Sequence, residues 1–153
     1  MEFQGKKVLI TGGSRGIGRA VAIAFAKQGA QVAINFVRDR TAAGDAVQAL
    51  SGEGHVAIKA DISSPHAAKM LVQTVVNTFG RIDILVNNAG IYKTHPVEES
   101  TYEEWQTAWQ ETLQVNLIGA ANMSFCAAKQ MIEQGDGGRI VNVSSRGASR
   151  GEP

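Results

Sequence analysis

The chain has 153 residues, of which 44% are hydrophobic and 19% are charged, fractions typical of a globular domain and not of a disordered or coiled-coil protein. Its 15 basic and 14 acidic residues leave a formal net charge of +1, and the single cysteine excludes an internal disulfide framework. No apolar run approaches the roughly 20 residues of a membrane span, and the N-terminus does not resemble a signal peptide. We therefore expect a soluble cytoplasmic protein without nucleic-acid or membrane partners.

Short apolar runs alternate with helical patterns along the chain. The runs at residues 7–11, 32–37, 55–59, 82–86 and 139–143 predict five strands. Helical spacing predicts a first helix through Ile17, Val21, Ala24 and Phe25 that ends at Gly29. It predicts three further helices, over 41–50, from about Pro65 to Gly80, and over about 102–134. In the last helix the residues predicted to share one face are Leu113, Leu117, Ala120, Ser124 and Ala128. The pattern predicts an α/β fold with a doubly wound parallel sheet, as one domain over 1–153.

A glycine-rich loop lies between the first predicted strand and helix. It reads T-G-G-S-R-G-I-G over residues 11–18. Such a loop can point backbone N–H groups and a helix N-terminus at a phosphate, with no side chain blocking the approach. The spacing has two more residues between the first glycines than the common dinucleotide fingerprint, so a tight turn without a ligand is the alternative interpretation.

Four further segments accompany the loop in a fixed order. They are Asp61-Ile62, N-N-A-G at residues 87–90, V-N-L-I-G at 115–119, and G-R-I-V-N-V-S-S at 138–145. Together with the loop they resemble the ordinary, non-extended branch of the short-chain dehydrogenase/reductase family, over about residues 6–147 and matching only its N-terminal part. The resemblance implies a Rossmann fold and an enzyme that reduces a carbonyl or oxidises a secondary alcohol, of the 3-oxoacyl reductase or sugar/polyol dehydrogenase type. The cofactor-binding residues that it implies are Gly12, Ser14, Arg15, Gly16, Ile17, Gly18, Arg38, Asp61, Ile62, Asn88, Ala89 and Gly90.

Each motif also has a purely structural interpretation. Asp61 can cap the next turn, and Asn87 and Asn88 can join a strand to a loop through their side-chain amides. Asn116 can be a tolerated polar residue in a helix, and the two serines can simply end a strand. The motifs favour function only when they are taken together.

Two arginines bear on the choice of cofactor. The end of the second strand leads directly into Arg38, with no acidic residue before it that could bind the ribose 2′-hydroxyl. The first acidic residue, Asp39, follows Arg38. Arg38 can pair with a 2′-phosphate, and Arg15 resembles a second basic residue found in phosphate-preferring relatives. We therefore expect NADP(H) in preference to NAD(H), with two solvated surface arginines as the alternative.

The catalytic set implied by the resemblance is incomplete in these 153 residues. Asn116 and Ser145 match the family's Asn and Ser, whereas its Tyr-x-x-x-Lys pair is expected about a dozen residues after Ser145, past Pro153. Tyr92 and Tyr102 are not followed by Lys at the fourth position. We expect a chain truncated after strand five, with the C-terminal part of the fold missing, that is inactive alone.

The remaining expectations concern partners. The three histidines share no ligand spacing, so no metal is expected. An uncovered fifth strand and the resemblance indicate a homo-oligomer with a small-molecule carbonyl or alcohol substrate. The alternative function is a non-catalytic NADP-binding or interaction module that truly ends at residue 153.

Overall fold

Five short strands form a parallel sheet at the centre of the computed structural model, which describes residues 2–150. The strands are β1 (Lys7–Ile10), β2 (Gln31–Phe36), β3 (Val56–Lys59), β4 (Ile84–Asn87) and β5 (Arg139–Asn142). Their order is β3-β2-β1-β4-β5, so the chain starts in the middle, winds outward to β3 and then crosses to β4 on the other side of β1. The predicted doubly wound, Rossmann-type sheet is confirmed.

Helices cover both faces of this sheet. They are α1 (Gly16–Lys27), α2 (Arg40–Gln48), α3 (Pro65–Phe79), α4 (Tyr102–Leu113), α5 (Ala120–Gln134) and the short α6 (Gly147–Arg150). A π-helical segment, Gln114–Gly119, joins α4 to α5, so the helix predicted over 102–134 is continuous but not uniform. Neither this π-helical segment nor α6 was predicted from the sequence pattern. No helix within residues 2–150 has the length and apolar character needed to cross a membrane.

Successive residues of the inner strands face two separate hydrophobic cores. Val8 and Ile10 pack with α1 and α2 on one side of the sheet, whereas Leu9 between them packs with α3 and α5 on the other. Because both faces are covered, β1 is apolar at consecutive positions instead of alternating.

The buried face of α5 differs from the predicted one. Its core residues are Met123, Ala127 and Met131, spaced four apart, whereas Leu113 and Leu117 are 44% and 58% exposed. The residues predicted to share one face lie in three consecutive segments, with Leu113 in α4, Leu117 in the π-helical segment and the others in α5. A π-helical turn holds more residues than an α-helical turn, so it rotates the helix faces on its two sides relative to each other.

Strand β4 begins two residues later than predicted because side chains pair with the backbone before it. Gln134 accepts from the N–H of Ile82 and donates to its carbonyl, each at 2.9 Å. The buried Asp83 carboxylate accepts from Lys7 N at 2.8 Å and from Arg81 Nε at 3.0 Å. A hydrogen bond to Asp136 and the negative charge of Asp83 raise the pKa of Arg81.

Apolar side chains are exposed on β5 and along α5. Val141 is 47% exposed at the edge strand, and Phe125 and Ile132 on α5 are 71% and 78% exposed. Exposed strand edges and contiguous apolar patches both favour association with another chain.

We expect the 153-residue chain to self-associate in solution. Sedimentation velocity over a range of concentrations should show an average mass that rises with concentration, and replacing Phe125 and Ile132 together by Ser should reduce that rise. A concentration-independent monomer with a sharp melting transition would contradict this expectation.

Candidate functional site

The glycine loop at residues 11–18 connects β1 to α1 at the carboxyl edge of the sheet. A Cβ at Gly18 would collide with the carbonyl oxygen of Gly12, so only glycine lets α1 start this close to the loop. Gly16 has φ +55° and no atom within 4 Å of where its Cβ would lie. The loop is thus packed tightly on its inner side and open above Gly16.

The hydroxyl of Thr11 joins this loop to the segment that follows β4. Thr11 is completely buried, and its Oγ1 accepts hydrogen bonds from the backbone N–H groups of Asn88 and Ala89, both at 3.0 Å. In the other direction, Asn88 Nδ2 donates to the carbonyl oxygens of Thr11 and Gly12, at 2.9 and 3.1 Å. We call these four hydrogen bonds the Thr11–Asn88 lock.

Asn35 on β2 forms a hydrogen bond with the glycine loop that was not predicted from the sequence. This residue is 1% exposed, and its Oδ1 accepts from Gly12 N at 3.4 Å while its Nδ2 donates to the carbonyl of Ala60 at 2.8 Å. The available signal was a lone polar residue within the otherwise apolar strand V-A-I-N-F-V. Buried amides need partners, and here the partners are the glycine loop and the end of β3.

The predicted phosphate-binding residues are accessible at the start of α1. Arg15, Gly16 and Ile17 are exposed, and Ser14 is half-buried. Arg15 occupies the N-cap position in an extended conformation without a side-chain cap hydrogen bond. The N–H groups of the first turn therefore face outward without a cap from this side chain.

Arg38 and Asp39 follow β2 and have different environments. Arg38 is exposed, whereas the Asp39 carboxylate caps α2 by accepting from Ala42 N at 2.9 Å. This structural task occupies the one acid near the end of β2.

Asp61 and Ile62 lie after β3 and serve the turn before α3. Asp61 Oδ1 accepts a hydrogen bond from Ser63 N at 3.0 Å, so Asp61 does cap the turn, as its structural interpretation expects. The side chain nevertheless remains exposed. Ile62 is 2% exposed and lies against Gly119, at the end of the π-helical segment.

Asn116 lies in the middle of the π-helical segment and clamps the chain after the N-N-A-G motif. Its Oδ1 accepts from Ile91 N at 2.8 Å and its Nδ2 donates to Ile91 O at 2.9 Å. Departures from α-helical geometry of this kind are frequent at functional sites. Asn116 is therefore a positioning residue for the segment that begins at Ile91.

Asn87 has the corresponding role toward β5. Its Nδ2 donates to Asn142 Oδ1 at 2.9 Å and to Ser124 Oγ at 2.8 Å, and its carbonyl accepts from Val143 N at 2.9 Å. Its own Oδ1 is buried without a partner among residues 2–150. Consecutive asparagines thus hold two different parts of the site, since Asn87 holds β5 and Asn88 holds the glycine loop.

Ser145 lies three residues past Asn142 and is exposed. Its Oγ accepts from Gly147 N at 3.2 Å, a hydrogen bond within its own turn. Hydrogen bonds therefore connect the glycine loop to N-N-A-G and connect Asn116 to Ile91, the residue after that motif. Ser145 is brought to the same edge of the sheet by the pairing of β5 with β4. No group of three or more His, Cys, Asp or Glu side chains in the described part of the chain could hold a metal ion.

Comparisons with known proteins match this arrangement. The family model for short chain dehydrogenase matches residues 6–153. L-rhamnose 1-dehydrogenase (NAD(P)(+)) of Sphingomonas sp. is 42% identical, over 94% of this chain and 56% of the relative. A 3-oxoacyl-[acyl-carrier-protein] reductase of Synechocystis sp. is 36% identical, over 95% of this chain and 58% of the relative.

Solved structures show the same fold over the whole chain. An NAD+-bound xylitol dehydrogenase is 31% identical with a TM-score of 0.88, over 100% of this chain and 58% of that one. A short chain dehydrogenase from Burkholderia cenocepacia J2315 in complex with NADP is 38% identical with a TM-score of 0.87, over 100% and 60%. The chain thus spans less than two thirds of the length of these proteins.

Replacing Thr11 by Val should destabilise the chain by about 1–3 kcal/mol, because two partly buried N–H groups lose their acceptor while the side-chain volume is kept. Urea denaturation measures the difference, and Thr11→Ser, which keeps the hydroxyl, is the matched control. Equal stability of the Val variant and the wild-type chain would show that the two hydrogen bonds to the Thr11 hydroxyl contribute nothing.

Proposed function

Because the chain belongs to the short-chain dehydrogenase family, we propose that it is the cofactor-binding part of an NADP(H)-dependent oxidoreductase. The reaction reduces a carbonyl group, or oxidises a secondary alcohol, by hydride transfer. The observation that carries the proposal is the Thr11–Asn88 lock, which holds the glycine loop rigid from below while the backbone above Gly16 stays open.

The residues present fit a dinucleotide. The open backbone at Gly16, with the outward N–H groups of the first turn of α1, suits a diphosphate that needs donors and no side-chain obstruction. The exposed Asp61 and the neighbouring Ile62, which is itself buried, would hold the adenine end, and Asn88, Ala89 and Gly90 would lie beside the nicotinamide end. Bound NADP(H) supplies the hydride donor or acceptor. The protein's own contribution is to bind and orient the cofactor.

Arg38 and Arg15 support NADP(H) over NAD(H). Both are exposed near the ends of β2 and β1, and a 2′-phosphate pairs with guanidinium groups through charge-assisted hydrogen bonds. Asp39, the acid that would otherwise bind a ribose 2′-hydroxyl, is engaged in capping α2. The names of the relatives include both cofactors, so this preference rests on the chain's own residues.

The proposed substrate is a small carbonyl or alcohol compound of the 3-oxoacyl or sugar/polyol type. Ser145 orients the substrate oxygen, and Asn116 takes part in a proton relay while it also holds Ile91. The acid that protonates the substrate oxygen would be a tyrosine whose pKa a nearby lysine lowers. Neither Tyr92 nor Tyr102 has a lysine four residues later. We propose a cytoplasmic homo-oligomeric enzyme in which residues 1–153 alone do not turn over.

A second candidate function is an NADP-binding or interaction module without catalysis. It is favoured by the contrast between the glycine loop, which Asn88 anchors at Thr11 and Gly12, and Ser145, whose hydroxyl bonds within its own turn in the described part of the chain. The two candidates share cofactor binding and differ in turnover.

Replacing Arg38 by Ala should weaken NADPH binding by about tenfold or more and leave NADH binding unchanged, because the lost contact is a hydrogen bond to a charged group. Isothermal titration of both cofactors measures this. Lys27→Ala, which removes an exposed charge at the far end of α1, is the control for non-specific charge effects. Equal loss of NADH and NADPH affinity would contradict the assignment of Arg38 to the 2′-phosphate.

The 153-residue chain should oxidise no NADPH with a panel of ketones and keto sugars, although it should bind the cofactor. The absorbance of NADPH follows the reaction, and intact mass verifies the length of the preparation. Turnover by a verified 153-residue chain would overturn the proposed inactivity and would favour the enzyme over the module.

A further inference from the structure

The segment between N-N-A-G and α4 holds Tyr92 between two anchored neighbours. Both backbone polar groups of Ile91 are bonded to the Asn116 side chain, at 2.8 and 2.9 Å. On the other side, Lys93 forms an ion pair with Glu111 of α4. The backbone is therefore held at Ile91, directly before Tyr92, and Lys93 is joined to α4 through its side chain, although Tyr92 lies outside any helix or strand.

The ring of Tyr92 is left uncommitted by these contacts. The residue is 83% exposed, and its phenol has no hydrogen-bond partner among residues 2–150. The other tyrosine differs, because Tyr102 stacks on Trp105 at 6.0 Å and its hydroxyl accepts from Gln106 at 2.9 Å. An aromatic ring on a fixed backbone is a binding element that loses little conformational entropy on contact.

The location of Tyr92 points to a ligand at the carboxyl edge of the sheet. In open parallel α/β sheets, ligands bind outside the carboxyl ends of the strands, beside the point where the strand order reverses. Here that point lies between β1 and β4. Tyr92 is the fifth residue after β4, and three of the four residues between them, Asn88, Ala89 and Ile91, form hydrogen bonds within the site.

We propose that Tyr92 contacts the substrate and determines specificity for a hydroxylated substrate, a sugar or polyol. The inference rests on the proposed oxidoreductase function and deepens it. The phenol offers an apolar face for the C–H groups of such a molecule and a hydroxyl that can donate to or accept from one of its hydroxyl groups.

The immediate surroundings favour this class over an acyl chain. The two residues that follow Tyr92 in the chain are Lys93 and Thr94, both polar and exposed. An acyl chain gains affinity from contiguous apolar surface, and the next large exposed apolar side chain along this segment is Val97, five residues after Tyr92. A site that bonds a substrate hydroxyl instead discriminates strongly against the analogue that lacks it.

The two tyrosines permit a direct test on the chain itself. Labelling with 3-fluorotyrosine yields two fluorine resonances, which Tyr102→Phe assigns. Titration with sorbitol at saturating NADP+ should shift the Tyr92 resonance in a saturable manner and leave that of Tyr102 in place. Cyclohexanol, which has six carbon atoms as sorbitol does but only one hydroxyl, should cause a much smaller shift.

Tyr92→Phe should weaken sorbitol binding, followed by saturation transfer to the sorbitol protons, by about twofold to tenfold, the effect of one neutral hydrogen bond. A silent Tyr92 resonance, equal shifts of both tyrosines, or an equal response to cyclohexanol would each overturn the proposal. NADP+ binding is measured separately in the same samples. Failure to bind NADP+ counts against the proposed function, whereas NADP+ binding with a silent Tyr92 counts against this inference alone.

Discussion

The arrangement of the site depends on one buried hydroxyl group. Thr11 directly follows β1, and its Oγ1 accepts hydrogen bonds from two consecutive N–H groups of the segment after β4. Neighbouring parallel strands diverge at their carboxyl ends, where ladder hydrogen bonds stop and loops leave in different directions. The Thr11 side chain replaces the missing ladder contacts, so that the glycine loop and N-N-A-G stay next to each other.

Paired asparagines extend this order across the rest of the sheet. Asn88 returns two hydrogen bonds to the loop, while Asn87 bonds to β5 and to Ser124 on α5. Asn116 then fixes the next residues through both backbone groups of Ile91. Side-chain amides are suited to this task because each carries donors and an acceptor in one plane, as a peptide group does. The polar residues that the resemblance associates with function are therefore also the residues that hold the edge of the sheet together.

Much of this could be predicted from the sequence. The five strands follow from short apolar runs between glycines, and the glycine loop and N-N-A-G were placed correctly because their positions depend on local chain geometry. Three features were not predictable in this way. Asn35 supports the loop through residues that are 23 to 25 positions away. The π-helical segment changes the helical period at Gln114, which moved the buried face of α5 to Met123 and Ala127. The start of β4 depends on Gln134, 52 residues later. Each of these is set by tertiary contacts that no local pattern contains.

The central claim is that the locked glycine loop is a dinucleotide site. Amide hydrogen exchange of the 153-residue chain, with and without NADPH, tests it most directly. Our account predicts slower exchange on NADPH addition within the loop at residues 14–18 and at Ile62, Ala89 and Gly90, with α5 unchanged. Unchanged exchange in the loop, or protection confined to the exposed face of α5, would contradict it.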